Sequence, residues 1–572
     1  MATANAMHER IEEVYKKFYK GGESPNYILA HSASRYRMKI EEENNERGYS
    51  KEEMNASQEA GAWLYDNRKK AMLAHIGVGT IDQALLSILS AKHQSLRLLG
   101  LNRKVLIVDE VHAYDSYMNE LLCNLLKFHS ALGGSAILLS ATLPQILRKK
   151  FIESFAEGLN LEFPGMSKTD YPLFTVVSGK DFNEIPVKSS DFFKKEVKIM
   201  PVDEEQKVLK LIEDAVKNNK CVCWVRNTVY DAIKGYKKIT EKYKETPVII
   251  FHSRFILGDR LKIENEVLRL FGQNSNASDR AGKIVIATQV VEQSLDIDFD
   301  YMISDMAPID LIIQRAGRLC RHKRDMDGNR IENSDKRGFP EMAVYMPSLE
   351  GKKTDKWFSD VFPKAAYVYP HHGELWLAAE WLLKNKKIIM PDDAREMIEY
   401  VYGAKSEIKI PKVFERIENK AGGNDRARAG QAHYQKLKFD EGYTANMYNW
   451  PDEEQTVTRL GEPTTTIRLA KWENNILVPF FNQTNRNDWH LSQVSVYKYA
   501  VAYEDEQYRN DIDRVKSNMS DKGRYCVLIP LSENGPGLWK GFAMNAEKEK
   551  VTIYYSHKIG LYWKEGDADE SD

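Results

Sequence analysis

Residues 1 to about 350 alternate short apolar runs with amphipathic stretches. The runs are Tyr27–Ala30, Val105–Val108, Ala136–Leu139, Cys221–Val225, Val248–Phe251, Ile284–Ala287 and Met342–Met346. They do not alternate apolar with polar residues, so they predict strands buried on both faces. The segments between them carry helical periodicity, as in Asp115–Leu132 and Glu204–Lys217. Strand alternating with helix implies a parallel sheet covered on both sides. Two such α/β blocks are expected, 1–190 and 191–348, with the polar stretch Ser178–Glu196 between them.

After Pro347 the pattern changes. Leu349–Asp360 is charged and reads as a connector, while Gly373–Lys384 and Pro391–Tyr402 predict helices, the second opened by Pro and Asp. Glu418–Gly430 is rich in Gly and charge and predicts a mobile loop. From about 435 onward Trp, Tyr and Thr accompany short strand-like stretches. The expected division is a helical connector, 349–410, and a small accessory domain of mixed or β character, 411–572.

Composition adds limits. At 572 residues and 42% apolar, the chain can bury cores for about three to four domains. Its 82 basic and 83 acidic residues balance, which excludes coating nucleic acid by bulk charge but leaves room for a basic groove. Five Cys cannot build a disulfide framework, so a reducing, cytoplasmic setting is expected. No apolar run approaches the roughly 18 residues of a membrane span, and the start lacks a signal-peptide pattern. No membrane partner is expected.

Four motifs carry chemistry. In Val105-Leu-Ile-Val-Asp109-Glu110-Val-His112 an apolar strand ends in adjacent carboxylates. In a parallel sheet, ligands bind beyond the carboxyl ends of strands. An Asp there can hold Mg²⁺ and a following Glu can polarise an attacking water. Taken alone, the pair is equally an acidic turn. The second motif, Ser140-Ala-Thr142, also follows a strand and could equally cap a helix. The third is Thr288-Gln-Val-Val-Glu292-Gln-Ser-Leu-Asp296-Ile-Asp298. The fourth is Gln314-Arg315-Ala-Gly317-Arg318-Leu-Cys-Arg321-His322, which would place Arg318 and Arg321 on one helix face. Arginines aimed at a phosphate held by another domain form an arginine-finger arrangement.

Their order across two α/β blocks resembles motifs II, III, V and VI of superfamily 2 helicases. Val78-Gly79-Thr80-Ile-Asp82-Gln83, the continuation His112-Ala-Tyr114-Asp115, the opening Ala2-Thr3-Ala-Asn5, Tyr367-Val-Tyr369 and Asp392–Tyr402 narrow this. With them the chain resembles the CRISPR-associated helicase–nuclease of type I systems, its start and tail most like subtype E.

The resemblance implies two RecA-like domains, ATP and Mg²⁺ as cofactors, and single-stranded DNA as the track. Asp109 would take the Mg²⁺ side of ATP and Glu110 would position the hydrolytic water. His112, Ser140, Thr142 and Asp296 would couple hydrolysis to movement. Gln314, Arg318 and Arg321 would reach the ATP phosphates, and Thr3, Thr80, His252, Ser253 and Thr288 would line the DNA path. The implied function is an ATP-driven 3′-to-5′ translocase that unwinds target DNA recruited by an RNA-guided CRISPR surveillance complex of Cascade type. The alternative is a nucleic-acid-binding or interaction module without catalysis. A third reading, an Asp-Glu-x-His RNA helicase, fits Val78–Gln83 and His112–Asp115 less well.

Two family elements do not occur in the sequence. No G-x-x-x-x-G-K-[ST] phosphate loop is found; before Gly351-Lys-Lys-Thr354 the leading Gly is replaced by Met346. None of the 13 His is followed by Asp, as an HD nuclease site requires. His371-His372 reads as a surface or capping pair rather than a metal site. The chain therefore reads as the C-terminal portion of such a protein, opening on motif Ia. An upstream helicase and HD nuclease segment, in cis or in trans, is the expected partner, and ATPase by this chain alone is expected to be weak or absent.

Overall fold

The computed structural model describes residues 2–18, 27–30, 70–179, 181–190, 194–244, 246–292, 295–350, 353–403, 410–441, 450–451, 456–482, 488–519 and 521–564. The side chains of residues 2–6, 9, 30 and 564 are outside this description. The chain divides into two units. The first comprises Met1–Ile199, Ala307–Ile313 and Pro347–Leu460; the second comprises Met200–Met306, Gln314–Met346 and Gly461–Asp572. They cut across the four segments expected from the sequence.

In the first unit, helix α1 (Ala2–Phe18) precedes two parallel strand pairs. Strand β1 (Tyr27–Ala30) pairs with β2 (Ile76–Gly79), and β3 (Val105–Val108) pairs with β4 (Ser135–Leu138). Between β3 and β4 lies helix α2 (Ser116–Ala131), started by Asp115, whose carboxylate accepts the Met118 amide at 2.8 Å. Leu121, Leu122, Leu125 and Leu126 recur at helical spacing and are fully buried in the core of this unit. The other face of β3 and β4 is uncovered among the described residues: Val105, Ile107, Ile137 and the following Leu139 are 60, 62, 44 and 46% exposed. Helix α3 (Gln145–Gly158) follows. The stretch expected as a polar separator, Ser178–Glu196, holds strand β6 (Asp181–Pro186), which forms an antiparallel hairpin with β5 (Leu173–Ser178) immediately before it. Thr175, Val176, Val177 and Ile185 supply the β-branched residues that favour strands over the surrounding Lys and Asp.

Strand β7 (Lys195–Val202) ends in the second unit, where the Val202 carbonyl accepts the Met346 amide at 2.8 Å. Then come α4 (Glu205–Lys217), β8 (Val222–Val225), α5 (Val229–Lys242), β9 (Val248–Phe251), α6 (Leu257–Phe271), β10 (Ile284–Ala287), β11 (Tyr301–Asp305), α7 (Ile309–Ala316) and β12 (Glu341–Tyr345). Spatially the strands run β12-β11-β8-β10-β9, all parallel. Every residue of β8 and β10 is buried, as their unbroken apolar runs require. Val208, Ile212, Ala232 and Ile239 of the flanking helices join the same core.

Residues 347–460 return to the first unit. Helix α8 (His372–Asn385) leads into β13 (Lys387–Met390), which pairs antiparallel with Lys195–Lys198, and α9 (Ala394–Tyr402) follows. The mobile loop expected at Glu418–Gly430 is instead the middle of α10 (Glu415–Gln435). The Ala, Arg, Glu and Gln residues of this segment favour helix. Ala421 and Ala432 are buried, and Glu415 and Glu418 stand in its electropositive first turn. Tertiary packing outweighs three Gly residues.

The β character expected for the tail is found from β14 (Thr464–Glu473) onward. The main sheet adds β15 (Ile476–Pro479), β18 (Val527–Glu533), β19 (Trp539–Met544), β20 (Lys550–Ser556) and β21 (Gly560–Lys564), in spatial order β15-β14-β18-β19-β20-β21. Strand β16 (Gln493–Tyr497) also pairs with β14, and β17 (Tyr503–Glu504) with β19. Phe481 lies where a side chain on Gly258 would sit, and Asp259 of α6 accepts from Tyr555 at 2.6 Å. This sheet therefore docks on the second α/β block. No helix among the described residues is long and apolar enough to cross a membrane.

Candidate functional site

Beyond the ends of β3 and β4 the first unit gathers the carboxylate and hydroxyl motifs. The Leu139 amide donates to the Val108 carbonyl at 2.9 Å and the Val111 amide to the Leu139 carbonyl at 3.2 Å. Asp109 and Glu110 leave the sheet between those bonds, both exposed. Glu110 takes φ 54°, the left-handed region that a non-glycine residue enters at a cost. This turn sends His112 inward to 2% side-chain exposure while Glu110 stays 49% exposed, the two 3.4 Å apart. His112 Nδ1 meets Ser140 Oγ at 2.9 Å, and Ser140 Oγ accepts the Thr142 amide at 3.3 Å. The two motifs are thus one hydrogen-bonded relay. Ser140 does not cap α3, whose N-cap is Pro144. The buried Thr142 Oγ1 has no hydrogen-bond partner among the described residues.

Sequence reasoning named Thr80-Ile-Asp82-Gln83 but not its partner. Asp82 accepts Arg459 Nε at 2.8 Å, Arg459 Nη2 at 2.9 Å and the Thr458 hydroxyl at 2.8 Å. Burial alone would raise its pKa, but the Arg459 bonds win and hold it below the usual value. Arg459 is 377 residues away in sequence, so no local signal could reveal it. Thr80 is half-buried and makes no capping bond through its side chain. Thr3 lies in the first turn of α1, and its side chain falls outside the described ones.

In the second unit the arginine motif differs from expectation. Helix α7 ends at Ala316, so Arg318 and Arg321 do not share a helix face. Gly317 follows the helix, and Cys320 at φ 44° turns the chain. Arg318 Nη2 donates to the Glu292 carbonyl at 2.6 Å, while Arg321 Nε pairs with Asp296 at 2.8 Å. His322 Nε2 lies 3.0 Å from that same carboxylate. Gln314 is half-buried on α7. Between them, Arg315 is fully buried: its Nε bonds Glu292 at 2.7 Å, and Nη1 bonds Ser304 at 2.7 Å and the Asp305 carbonyl at 2.9 Å. The following loop is clamped by Asp298 and Asp300, which pair with Arg324 at 2.6 Å and Arg280 at 2.8 Å. Arg337 reaches both carboxylates, and Asp298 also accepts the Arg321 amide at 2.7 Å. Despite burial, the arginines hold the Asp300 carboxyl well below its ordinary range. The outer cations are exposed or half-buried on a rigid ionic base.

His252 and Thr288 stand at the ends of adjacent strands β9 and β10, yet both side chains are buried. His252 Nδ1 accepts the Arg254 amide at 3.2 Å, so Nε2 donates to the Ile559 carbonyl at 3.1 Å. Burial, helped by the Arg254 charge, lowers its pKa to about 3. Ser253 is exposed, and Arg254 stacks 4.2 Å over the Trp563 ring. Of the expected track residues here, Ser253 alone presents its side chain to solvent.

The sequence supplies no glycine-rich phosphate cradle, so the donor set fits the metal and water side of ATP only.

Comparisons place this architecture. Residues 218–324 match the family described as CRISPR-associated nuclease/helicase Cas3, C-terminal. The chain is 34% identical over 413 residues to the Cas3 endonuclease/helicase of Escherichia coli K12, covering 70% of this chain and 44% of that protein. It is 32% identical over 423 residues to the Cas3 of Streptococcus thermophilus, covering 72% and 43%. The crystal structure of T. fusca Cas3 with AMPPNP superposes with a TM-score of 0.76 at 25% identity, over 98% of this chain and 64% of that one. The chain thus spans less than half the length of these curated relatives. With two RecA-like α/β blocks and an accessory sheet, it belongs to the Cas3 family of CRISPR-associated helicases, matching their C-terminal helicase region.

Proposed function

We propose that this chain is the helicase portion of a CRISPR interference effector, an ATP-driven translocase on single-stranded DNA. The observation that carries the reading is the relay Glu110–His112–Ser140–Thr142 at the ends of two neighbouring parallel strands. It joins a water-activating carboxylate to a segment that can report on hydrolysis. In this proposal Asp109 takes the Mg²⁺ side of ATP, Gln314, Arg318 and Arg321 stabilise phosphate charge, and Asp296 anchors Arg321 as part of the coupling. Thr3, Thr80, Ser253 and the backbone around His252 and Thr288 belong to the DNA track. The RNA-guided surveillance complex is the partner that delivers DNA.

The missing phosphate cradle and the open face of β3 and β4 support a second element of the proposal. Upstream polypeptide of the kind Cas3 relatives carry covers Val105, Ile107, Ile137 and Leu139 and supplies the phosphate loop. An exposed apolar sheet face of this kind marks a docking surface. The test is DNA-stimulated ATP hydrolysis by the purified chain with and without that segment. Activity that appears only on complementation supports the reading. Equal single-stranded DNA binding with and without ATP, even after complementation, would favour a binding module without catalysis.

A further inference from the structure

In the first unit, far along the chain from the carboxylate relay, the start of α8 meets the first half of α10. His371 and Glu374 stand at spacing i, i+3, and Glu418 faces them from α10. One ligand atom from each of the three lies within 4.8 Å of the others. His371 holds the N-cap position of α8 but makes no side-chain capping bond, and of the surface or capping role expected from sequence the capping part is not seen.

The surrounding bonds orient the group. His371 Nε2 meets Asp425 Oδ2 at 2.9 Å, and Nδ1 meets Glu418 Oε2 at 2.9 Å. Glu418 Oε1 accepts the Gly373 amide at 2.7 Å, which turns Oε2 toward Nδ1. Glu374 Oε1 approaches the same nitrogen at 3.9 Å, beyond hydrogen-bond range. Among the described residues no hydrogen bond satisfies the half-buried Glu374 carboxylate. Three carboxyl groups therefore surround one imidazole, both of whose ring nitrogens face a carboxylate oxygen.

We infer that His371, Glu374 and Glu418 form a site for a divalent first-row transition ion of the Zn²⁺ type, with Asp425 as the positioning residue. Asp425 accepts from Nε2–H, and Nδ1, which faces the Glu418 carboxylate, releases its proton to solvent when its lone pair turns to the ion, the carboxylate–histidine–metal arrangement of structural and catalytic sites. One imidazole and two carboxylates suit Zn²⁺ or Mn²⁺ better than Mg²⁺, which prefers an all-oxygen octahedron. Ligand distances of about 2.0–2.2 Å require the three groups to close by about an ångström. The bound ion ties the start of α8 to α10 and gives the Gly-containing α10 a fixed anchor.

The test uses the whole chain after chelator treatment, with titration calorimetry and thermal unfolding in Zn²⁺, and Mg²⁺ as the control. The expected result is one Zn²⁺ per chain, a raised unfolding midpoint and little response to Mg²⁺. Glu374→Gln, which breaks no hydrogen bond among the described residues, keeps the metal-free midpoint and weakens Zn²⁺ binding at least tenfold. Asp425→Asn weakens it by about 10–100-fold. Absence of Zn²⁺ binding, or the same midpoint shift in Glu374→Gln and Glu418→Gln as in the parent, would overturn the inference and leave an ion pair only. The result is independent of ATPase activity.

Discussion

Glu110 holds a left-handed backbone conformation at φ 54°, a strain of about 1–3 kcal/mol that the surrounding ladder bonds maintain. Its carboxylate stays near solvent while the next side chain but one is buried, which suits a group that must meet a water. In the complemented protein, Glu110→Gln is expected to lower ATP hydrolysis by about 10²-fold or more while DNA binding persists. A steady-state assay beside a filter-binding measurement checks both. The arginines divide differently. Arg315→Ala leaves Glu292 buried without its cation and is expected to cost about 3–5 kcal/mol in urea unfolding. Arg318→Ala is expected to stay within about 1 kcal/mol and to act on hydrolysis instead. His252 gives a pH signature. Its folded pKa, about 3, lies below the unfolded value of 6.5. Between those values the unfolded chain binds more protons, so this contribution is present above pH 6.5 and is lost as pH falls toward 3. Urea unfolding from pH 7 to 5 should show a steeper loss in the parent than in His252→Phe.

At the scale of elements, α10 is the segment where composition misleads. Gly422, Gly423 and Gly430 face open space, so a methyl group at any of them meets nothing within 4 Å. Gly422→Ala and Gly423→Ala are expected to stabilise the chain by about 0.4–1 kcal/mol each, read from urea midpoints. The strands of the second block were legible because burial on both faces demands unbroken apolar runs, and β8 and β10 are buried at every position. The helix of α10 was not, because its support comes from the burial of Ala432 against residues 84–151 and from the His371 contact to Glu418, partners remote in sequence. The same limit explains the arginine motif. Spacing suggested one face for Arg318 and Arg321, but Cys320 bends the chain where Asp298 clamps the loop. The relay of Glu110, His112 and Ser140 was legible as motifs, and the Asp82–Arg459 pair was not.

At the scale of the whole molecule, the structure and the sequence share one gap. Two neighbouring strands expose Val105, Ile107, Ile137 and Leu139, and the 572 residues encode no phosphate cradle beside Asp109. Both follow if further Cas3 polypeptide completes the first block. Ile107→Lys is then expected to leave the second block folded and to abolish rescue by the upstream segment, seen in a pull-down between the two pieces. The most direct test of the account is DNA-stimulated ATP hydrolysis by the purified chain, alone and mixed with the upstream portion of a Cas3 relative. The account predicts background turnover alone and DNA-dependent turnover in the mixture, lost again with Glu110→Gln. Robust DNA-stimulated hydrolysis by the 572-residue chain alone would contradict it.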